Sequence, residues 1–351
     1  MTSTLTPDML NRPLGKAQPP QIPQAQDPLA APSIDFPTVS VVVPIYNGER
    51  DLSGLIDGLL GQTYPADRVE FLMVDNGSCD RTPQLLAAAV QTAQTQGLTL
   101  KHLSETDIQS AYAARNTGIR AATGEIIAFT DADCYPKPNW LAELVQGFQD
   151  EAVGLMVGEV VAFPSTTWLE QFAERKNLLS QKATLANRFC PYGQTANVAI
   201  RAKAFEGVGL FRPHMTTGGD ADLCWRLQKE GGWQLQFAES AQVQHHHRTN
   251  FKDLRSQWYR YGKSSRYLHQ LYGVKLPRPL LGEEFRHSLV RWVLKEIPLG
   301  LVNLLRGKAD VLDLVTTPID LYCFNARTQG QRQSRLPDKA KEIVWLEEKK
   351  S

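Results

Sequence analysis

Glu125-Ile126-Ile127-Ala128-Phe129-Thr130 runs directly into Asp131-Ala132-Asp133. The apolar run has the length of a strand buried on both faces, and it ends in two carboxylates separated by one residue. Acidic side chains released from the end of a buried strand are well placed to hold a divalent cation, and such a cation neutralises a diphosphate. A second acidic pair, Asp220 and Asp222, stands further along the chain. The combination points to transfer from an activated phosphate ester.

Upstream, Val39-Ser40-Val41-Val42-Val43 is a β-branched run that stops at Pro44, and a second strand over 69–74 opens into Asp75-Asn76-Gly77-Ser78-Cys79-Asp80. Helices are predicted over 49–60, 83–95 and 107–122, with a short strand at 98–102. Strands and helices alternating at this spacing predict an α/β doubly wound, mainly parallel sheet, and such sheets bind ligands beyond the carboxyl ends of their strands. Asp75 and Asp131 fall at two such ends. Downstream, 153–163 reads as a strand, 167–182 as a helix and 197–200 as a strand; from Phe251 the chain reads as helical to about Phe324 and then polar.

Residues 1–37 hold eight of the 21 prolines and few large apolar side chains, so they read as a disordered Pro/Gln-rich tail. A formal net charge of +1 provides no global basic field, which argues against a nucleic-acid partner. The five cysteines are odd in number, widely spaced and free of any Cys-x-x-Cys pair, so a reducing cytoplasm is expected and a disulfide framework is not. The N-terminus lacks a basic start and an apolar core, so it does not read as a secretory signal. The most apolar stretch, 289–305, contains Arg291, Lys295, Glu296 and Pro298 and cannot comfortably span a bilayer. Packing against the domain is the expectation for it. The alternative is a peripheral position in a headgroup layer, on the inner face of the cytoplasmic membrane.

Five strings in order carry a resemblance. Val41-Val42-Val43-Pro44-Ile45-Tyr46-Asn47, Val74-Asp75-Asn76-Gly77-Ser78 with Asp80, Ala114-Arg115-Asn116 with Gly118, Asp131-Ala132-Asp133, and Gly219-Asp220-Ala221-Asp222-Leu223-Cys224-Trp225-Arg226-Leu227 together resemble glycosyltransferase family 2, of the GT-A fold. The resemblance covers roughly 38–262, with 38–139 as the nucleotide-binding half, 140–262 as the acceptor half, and 263–351 as a helical C-terminal extension. It implies a metal-dependent, inverting transfer of a sugar from a nucleoside diphosphate sugar to an acceptor hydroxyl, of a glycan or a lipid-linked intermediate. Asp133 is then the direct ligand of Mn²⁺ or Mg²⁺, and Asp131 a contact to the ribose or metal shell. By the same resemblance Asp75 meets the base, Pro44, Tyr46 and Asn47 belong to the donor site, and Arg115 meets a phosphate or pairs with Asp131.

Asp220 takes the family position of the catalytic base, where the usual Glu-Asp appears as Gly219-Asp220; a helix N-cap is the competing role. Asp222 is expected to be structural or an acceptor contact. In His245-His246-His247-Arg248, strand alternation would put His245 and His247 on one face, and the resemblance makes either a third metal or diphosphate ligand. Gln257-Trp258-Tyr259-Arg260-Tyr261 faintly resembles the Gln-x-x-Arg-Trp string of processive synthases and puts Arg260 near the diphosphate or packed. A nucleotidyltransferase is the rival enzyme class, but Pro44-Ile45-Tyr46-Asn47 is not the glycine-rich loop that holds a triphosphate. A catalytically silent sugar-nucleotide or glycan binding module is the non-enzymatic rival.

Overall fold

The computed structural model describes residues 36–279 and 281–346; the tail expected over 1–37 lies, apart from its last two residues, outside the described residues. The first half alternates as the pattern predicted: β1 (Val39–Ile45), α1 (Leu52–Leu60), β2 (Val69–Asp75), α2 (Thr82–Thr95), β3 (Thr99–Ser104), α3 (Ala111–Ala121) and β4 (Ile126–Phe129). Every residue of β1, β2 and β4 is buried, the property of strands covered on both faces by helices. Then follow β5 (Cys134–Pro136), α4 (Trp140–Leu144), β6 (Val153–Ala162), α5 (Trp168–Arg175), α6 (Lys182–Leu185), β7 (Val198–Arg201), α7 (Gly219–Lys229) and β8 (Gln234–His245). The last helices are α8 (Phe251–Tyr272), α9 (Gly282–Arg291), α10 (Ile297–Leu305) and α11 (Val311–Gln333).

The eight strands form one sheet in the order β3-β2-β1-β4-β7-β6-β8-β5. It is mainly parallel; β7 runs against β4 and β6, and β5 runs against β8. The chain order reverses direction between β1 and β4, and the crevice at such a switch point is where open α/β sheets bind ligands. In the acceptor half the sheet is pinned by one buried amide. Asn197 accepts from Trp140 Nε1 at 2.8 Å and donates to the carbonyls of Glu159 and Ala241 at 2.9 and 2.8 Å, so β6, β8 and α4 share one polar anchor.

Four expectations change. The helix expected from 107 begins at Ala111, because the Ser110 side chain caps it by accepting from Tyr112 N. The helix expected over 167–182 breaks after Arg175: buried Glu159 takes hydrogen bonds from Ser180 Oγ and Gln181 N, at 3.0 and 2.8 Å, and Asn177 turns left-handed to allow it. The boundary expected at 262 falls inside α8, which packs along α11 so closely that a Cβ at Gly262 would lie 1.9 Å from the Arg327 carbonyl and one at Gly330 2.0 Å from that of Tyr259. The polar end returns to the core, where Leu336 and Ala340 are buried and Leu210 N donates to the Val344 carbonyl at 2.7 Å. Among the described residues no helix is long and apolar enough to cross a membrane.

Candidate active site

At the carboxyl ends of β1, β4 and β8 lies a cavity of about 670 Å³, lined by Pro44, Tyr46, Arg115, Asp131, Asp133, Asp220 and His245 among others. That volume suits a nucleotide-sized ligand. β1 continues through Pro44, where the sequence predicted its end, to Ile45, and Tyr46 stands half-exposed just beyond, an open aromatic face at the rim. Asn47 adopts a left-handed conformation that asparagine tolerates; its backbone N–H donates to Ser78 Oγ at 2.8 Å and its side-chain oxygen accepts from Cys79 N at 2.9 Å. It therefore ties the loop after β2 to the loop after β1, while still lining the cavity. Asp75 ends β2 but is buried, accepts from Ser78 N at 3.1 Å and is not among the cavity's lining residues.

The acidic turn is joined to the far end of the sheet by register. β5 follows Asp133 immediately, and its antiparallel pairing sets Cys134 opposite His245. His245 Nε2 consequently lies 3.0 Å from Asp133 Oδ2, with Arg248 3.9 Å from the same oxygen. Burial alone would raise the Asp133 carboxyl, but the hydrogen bond and charge of His245, with Arg248, hold it at about 2. Burial would lower His245, and the Asp133 carboxylate outweighs it and raises the imidazole above its usual value.

Asp133, Cys134 and His245 offer ligand atoms that lie within 4.8 Å of one another. The donor set fits a hard or borderline divalent cation. The Nδ1 of His245 lies 2.6 Å from the His246 carbonyl, to which it can donate, so a cation that displaced the Nε2 proton would find that ring's lone pair beside the carboxylate. Burial, with the Asp131 and Asp133 carboxylates, pushes the Cys134 thiol well above its usual value. An oxygen and an imidazole suit Mn²⁺ or Mg²⁺ better than a thiolate-seeking metal.

His247 does not join this group. β8 ends at His245, the alternation stops there, and His247 is buried against a neighbouring cavity formed with Glu159, Glu174 and Gln242. Its Nε2 has no hydrogen-bond partner among the described residues, and burial lowers its basicity. The expected choice between the two histidines thus falls geometrically on His245.

Asp131 is held by Arg115, whose guanidinium NH2 lies 2.5 Å from Oδ1. Arg115 is buried on α3, and although burial opposes its charge, Asp131 and Asp220 sustain it. Of the two roles expected for Arg115, pairing with Asp131 is present, and its side chain also lines the cavity. Asp220 opens α7, but Gly218, with φ of 82°, is the residue that precedes the helix and Asp220 lies in the first turn. Its Oδ1 accepts from Thr195 Oγ1 at 2.8 Å, so the N-cap role gives way to a carboxylate aimed into the cavity. Burial raises its pKa above the ordinary carboxylate range, against the opposing pull of Arg115 and Thr195.

Asp222 is a correction to the acceptor alternative. It is fully buried, bonded by Arg212 Nε at 2.9 Å, Arg226 NH2 at 3.0 Å and Tyr272 Oη at 2.6 Å, and it lines no cavity with Asp220. Arg260 is exposed and lines the cavity from α8, without an ion-pair partner among the described residues. Sequence reasoning missed Thr195 and Tyr112 outright and left Arg248 and Gln257 without a role. Thr195 and Tyr112 belong to no short motif at a fixed distance from the acids, so no spacing signal marked them.

The glycine at 219 has a steric cause. Its N–H donates to Tyr112 Oη at 2.9 Å, and a Cβ there would lie 2.6 Å from Cζ of the same ring. The family's usual Glu has no room. Gly219→Glu is therefore expected to cost about 1–3 kcal/mol in urea unfolding, as overpacking does. Pairing it with Tyr112→Ala should recover part of that loss, and an unchanged unfolding midpoint in the single variant would refute the steric account.

Comparison with known proteins agrees with this geometry. The profile described as "Glycosyl transferase family 2" matches residues 40–209, and "Glycosyl transferase family group 2" matches 126–317. The glycosyltransferase AglE of Haloferax volcanii is 32% identical over 261 residues, covering 74% of this chain and 81% of that protein. The pre-mycofactocin glycosyltransferase of Mycobacterium tuberculosis is 30% identical over 76% of this chain but only 54% of its own length. Among solved structures, the mannosyltransferase PcManGT from Pyrobaculum calidifontis, in complex with GDP-Man and Mn²⁺, superimposes with a TM-score of 0.60 at 21% identity, covering 93% of this chain and 92% of that one. That structure shares the GT-A arrangement of an open, mainly parallel sheet flanked by helices. With the profile of group 2 spanning more than half of its residues and an archaeal relative aligned over most of its length, the chain belongs to glycosyl transferase family 2.

Proposed function

We propose that the chain is a metal-dependent, inverting glycosyltransferase that moves a sugar from a nucleoside diphosphate donor to the hydroxyl of a glycan or lipid-linked acceptor. One observation carries the reading: Asp133 with His245, and Asp220, open on the same cavity from opposite parts of the chain. Mn²⁺ or Mg²⁺, held by Asp133 and His245, would supply the Lewis acid that offsets charge on the departing diphosphate. Arg248 and Arg260, both on the cavity lining, add positive charge on that side. Pro44 and Tyr46 give the base a wall to lie against; Asp75, buried at the end of β2 with one oxygen engaged by Ser78 N, would meet the imide N–H of uracil or guanine only if the loop after β2 opens beside it. Asp220 takes the proton of the acceptor hydroxyl as that oxygen attacks the anomeric carbon from the face opposite the diphosphate, which inverts the centre. The presence of GDP-Man and Mn²⁺ in PcManGT is in keeping with this donor class.

Thermal-shift measurements with UDP, GDP and other nucleoside diphosphates, with and without Mn²⁺, test the reading. A diphosphate at 100 times its dissociation constant should add about 2.7 kcal/mol of stability. The gain should require Mn²⁺ in the parent and lose that requirement, along with most of its size, in Asp133→Asn. If no nucleoside diphosphate moves the melting point in the presence of Mn²⁺, the donor and metal assignment is wrong. Release of pyrophosphate from a nucleoside triphosphate would favour the nucleotidyltransferase rival instead. For the stereochemistry, proton NMR of the product from an α-linked donor should show the β anomer.

A further inference from the structure

Of the sixteen large hydrophobic side chains exposed among the described residues, eleven fall between Leu281 and Val311. No residue of α9, of the π-helical turn Trp292–Glu296 or of α10 is buried, although α10 is the sequence Ile-Pro-Leu-Gly-Leu-Val-Asn-Leu-Leu. Packing against the domain, the expectation for this stretch, is therefore met along one face only. The segment is seated on α11 by one stripe only: Trp292 Nε1 donates to the Leu314 carbonyl at 2.6 Å, Thr317 Oγ1 donates to Glu296 at 2.6 Å, and Gly300 lies against Leu314. Positions 292, 296 and 300 share a helix face at four-residue spacing. Val290, Leu294, Leu301 and Leu305 recur at helical spacing on another face and point to solvent, with Leu294 73% and Leu305 89% exposed.

Charge indicates what covers this face. Arg286, Lys295, Arg306 and Lys308 are exposed along the segment and have no ion-pair partner among the described residues. The acids nearby are mostly neutralised: Glu284 pairs with Arg278, Glu296 with Arg291 and Asp310 with Arg175. An apolar stripe edged by uncompensated cations matches a lipid surface with anionic headgroups, where each basic side chain near the interface contributes and the apolar side chains enter the acyl boundary. A second copy of the same face would bring the four cations against four more, which disfavours self-association. At 24 residues from Gly282 to Leu305, interrupted by a π turn and Pro298, the segment is built to lie in the interface and not to cross it.

We propose that residues 281–311 form a docking surface for an anionic bilayer. It is independent of the donor and metal assignment. α11, which carries this segment, packs along α8, whose Gln257, Arg260 and Tyr261 line the cavity, so the surface is connected to the active site through one helix pair. The test is flotation of the full chain on a density gradient with vesicles of phosphatidylcholine alone or mixed with phosphatidylglycerol. The protein should float with the mixed vesicles at low salt, much less with phosphatidylcholine alone, and be released as salt is raised. Lys295→Gln and Arg306→Gln should each weaken partitioning about fivefold. Leu294→Glu combined with Leu305→Glu should abolish it; both positions are exposed, so the circular-dichroism melting curve should be unchanged. Three outcomes would overturn the proposal: no flotation with either vesicle, equal flotation with both, or a dimer in light scattering that Leu294→Glu turns into a monomer.

Discussion

Asp220→Asn is expected to lower turnover by about 10²-fold or more while donor binding, read by the Mn²⁺-dependent thermal shift, stays within about twofold of the parent. The reason is local. Asn keeps the shape and can still accept from Thr195 Oγ1, so the pocket is preserved, but an amide cannot take the acceptor's proton. The pH profile gives a second readout. Burial raises the Asp220 carboxyl above the ordinary carboxylate range, and a general base works only when ionised. Turnover in the parent should therefore fall as the pH drops through that raised value, with the acidic limb at a higher pH than an exposed aspartate would give, and the residual rate of Asp220→Asn should lack this limb. Equal rates of transfer in variant and parent would end the base assignment and favour a silent binding module.

Two residues along the same helix the expected result reverses. Asp222→Ala should reduce stability by about 3–5 kcal/mol in urea unfolding, because it leaves the buried guanidiniums of Arg212 and Arg226 without their shared counter-charge. Arg226 also donates to the carbonyls of Val208 and Leu210, and Arg212 to that of Lys341, so the loss propagates to the loop before α7 and to the C-terminal segment. Turnover per folded molecule should change far less than in Asp220→Asn. A variant with parental stability and strongly reduced turnover would show that Asp222 belongs to the active site after all. The contrast separates two carboxylates that the sequence presents side by side.

How much of this was legible beforehand follows from the range of the interactions involved. The strands β1, β2 and β4 were readable because a strand buried on both faces is written as a largely unbroken apolar run. The pattern predicts one helix over 167–182, but it ends at Arg175 and a second, short helix starts only at Lys182, because the side chain that interrupts it, Glu159, comes from a strand upstream. Thr195 and Tyr112 gave no signal, since their importance lies in contacts with Asp220 and Gly219 made across the fold. The apolar face of α9 and α10 was visible as composition, but composition is the same for a helix that packs inward and for one that faces out.

By itself the chain of residues determined the parallel core and the carboxyl-end position of Asp131 and Asp133, because the burial of a strand on both faces is written locally as an unbroken apolar run. Only the tertiary structure decided that His245 and not His247 stands beside Asp133, that Arg115 is paired with Asp131, and that Asp222 is sealed away from Asp220. Those outcomes depend on the register of β5 against β8 and on which face of α7 is buried. Register is set by the packing of the whole sheet, and a shift of one residue would exchange every side chain between its two faces.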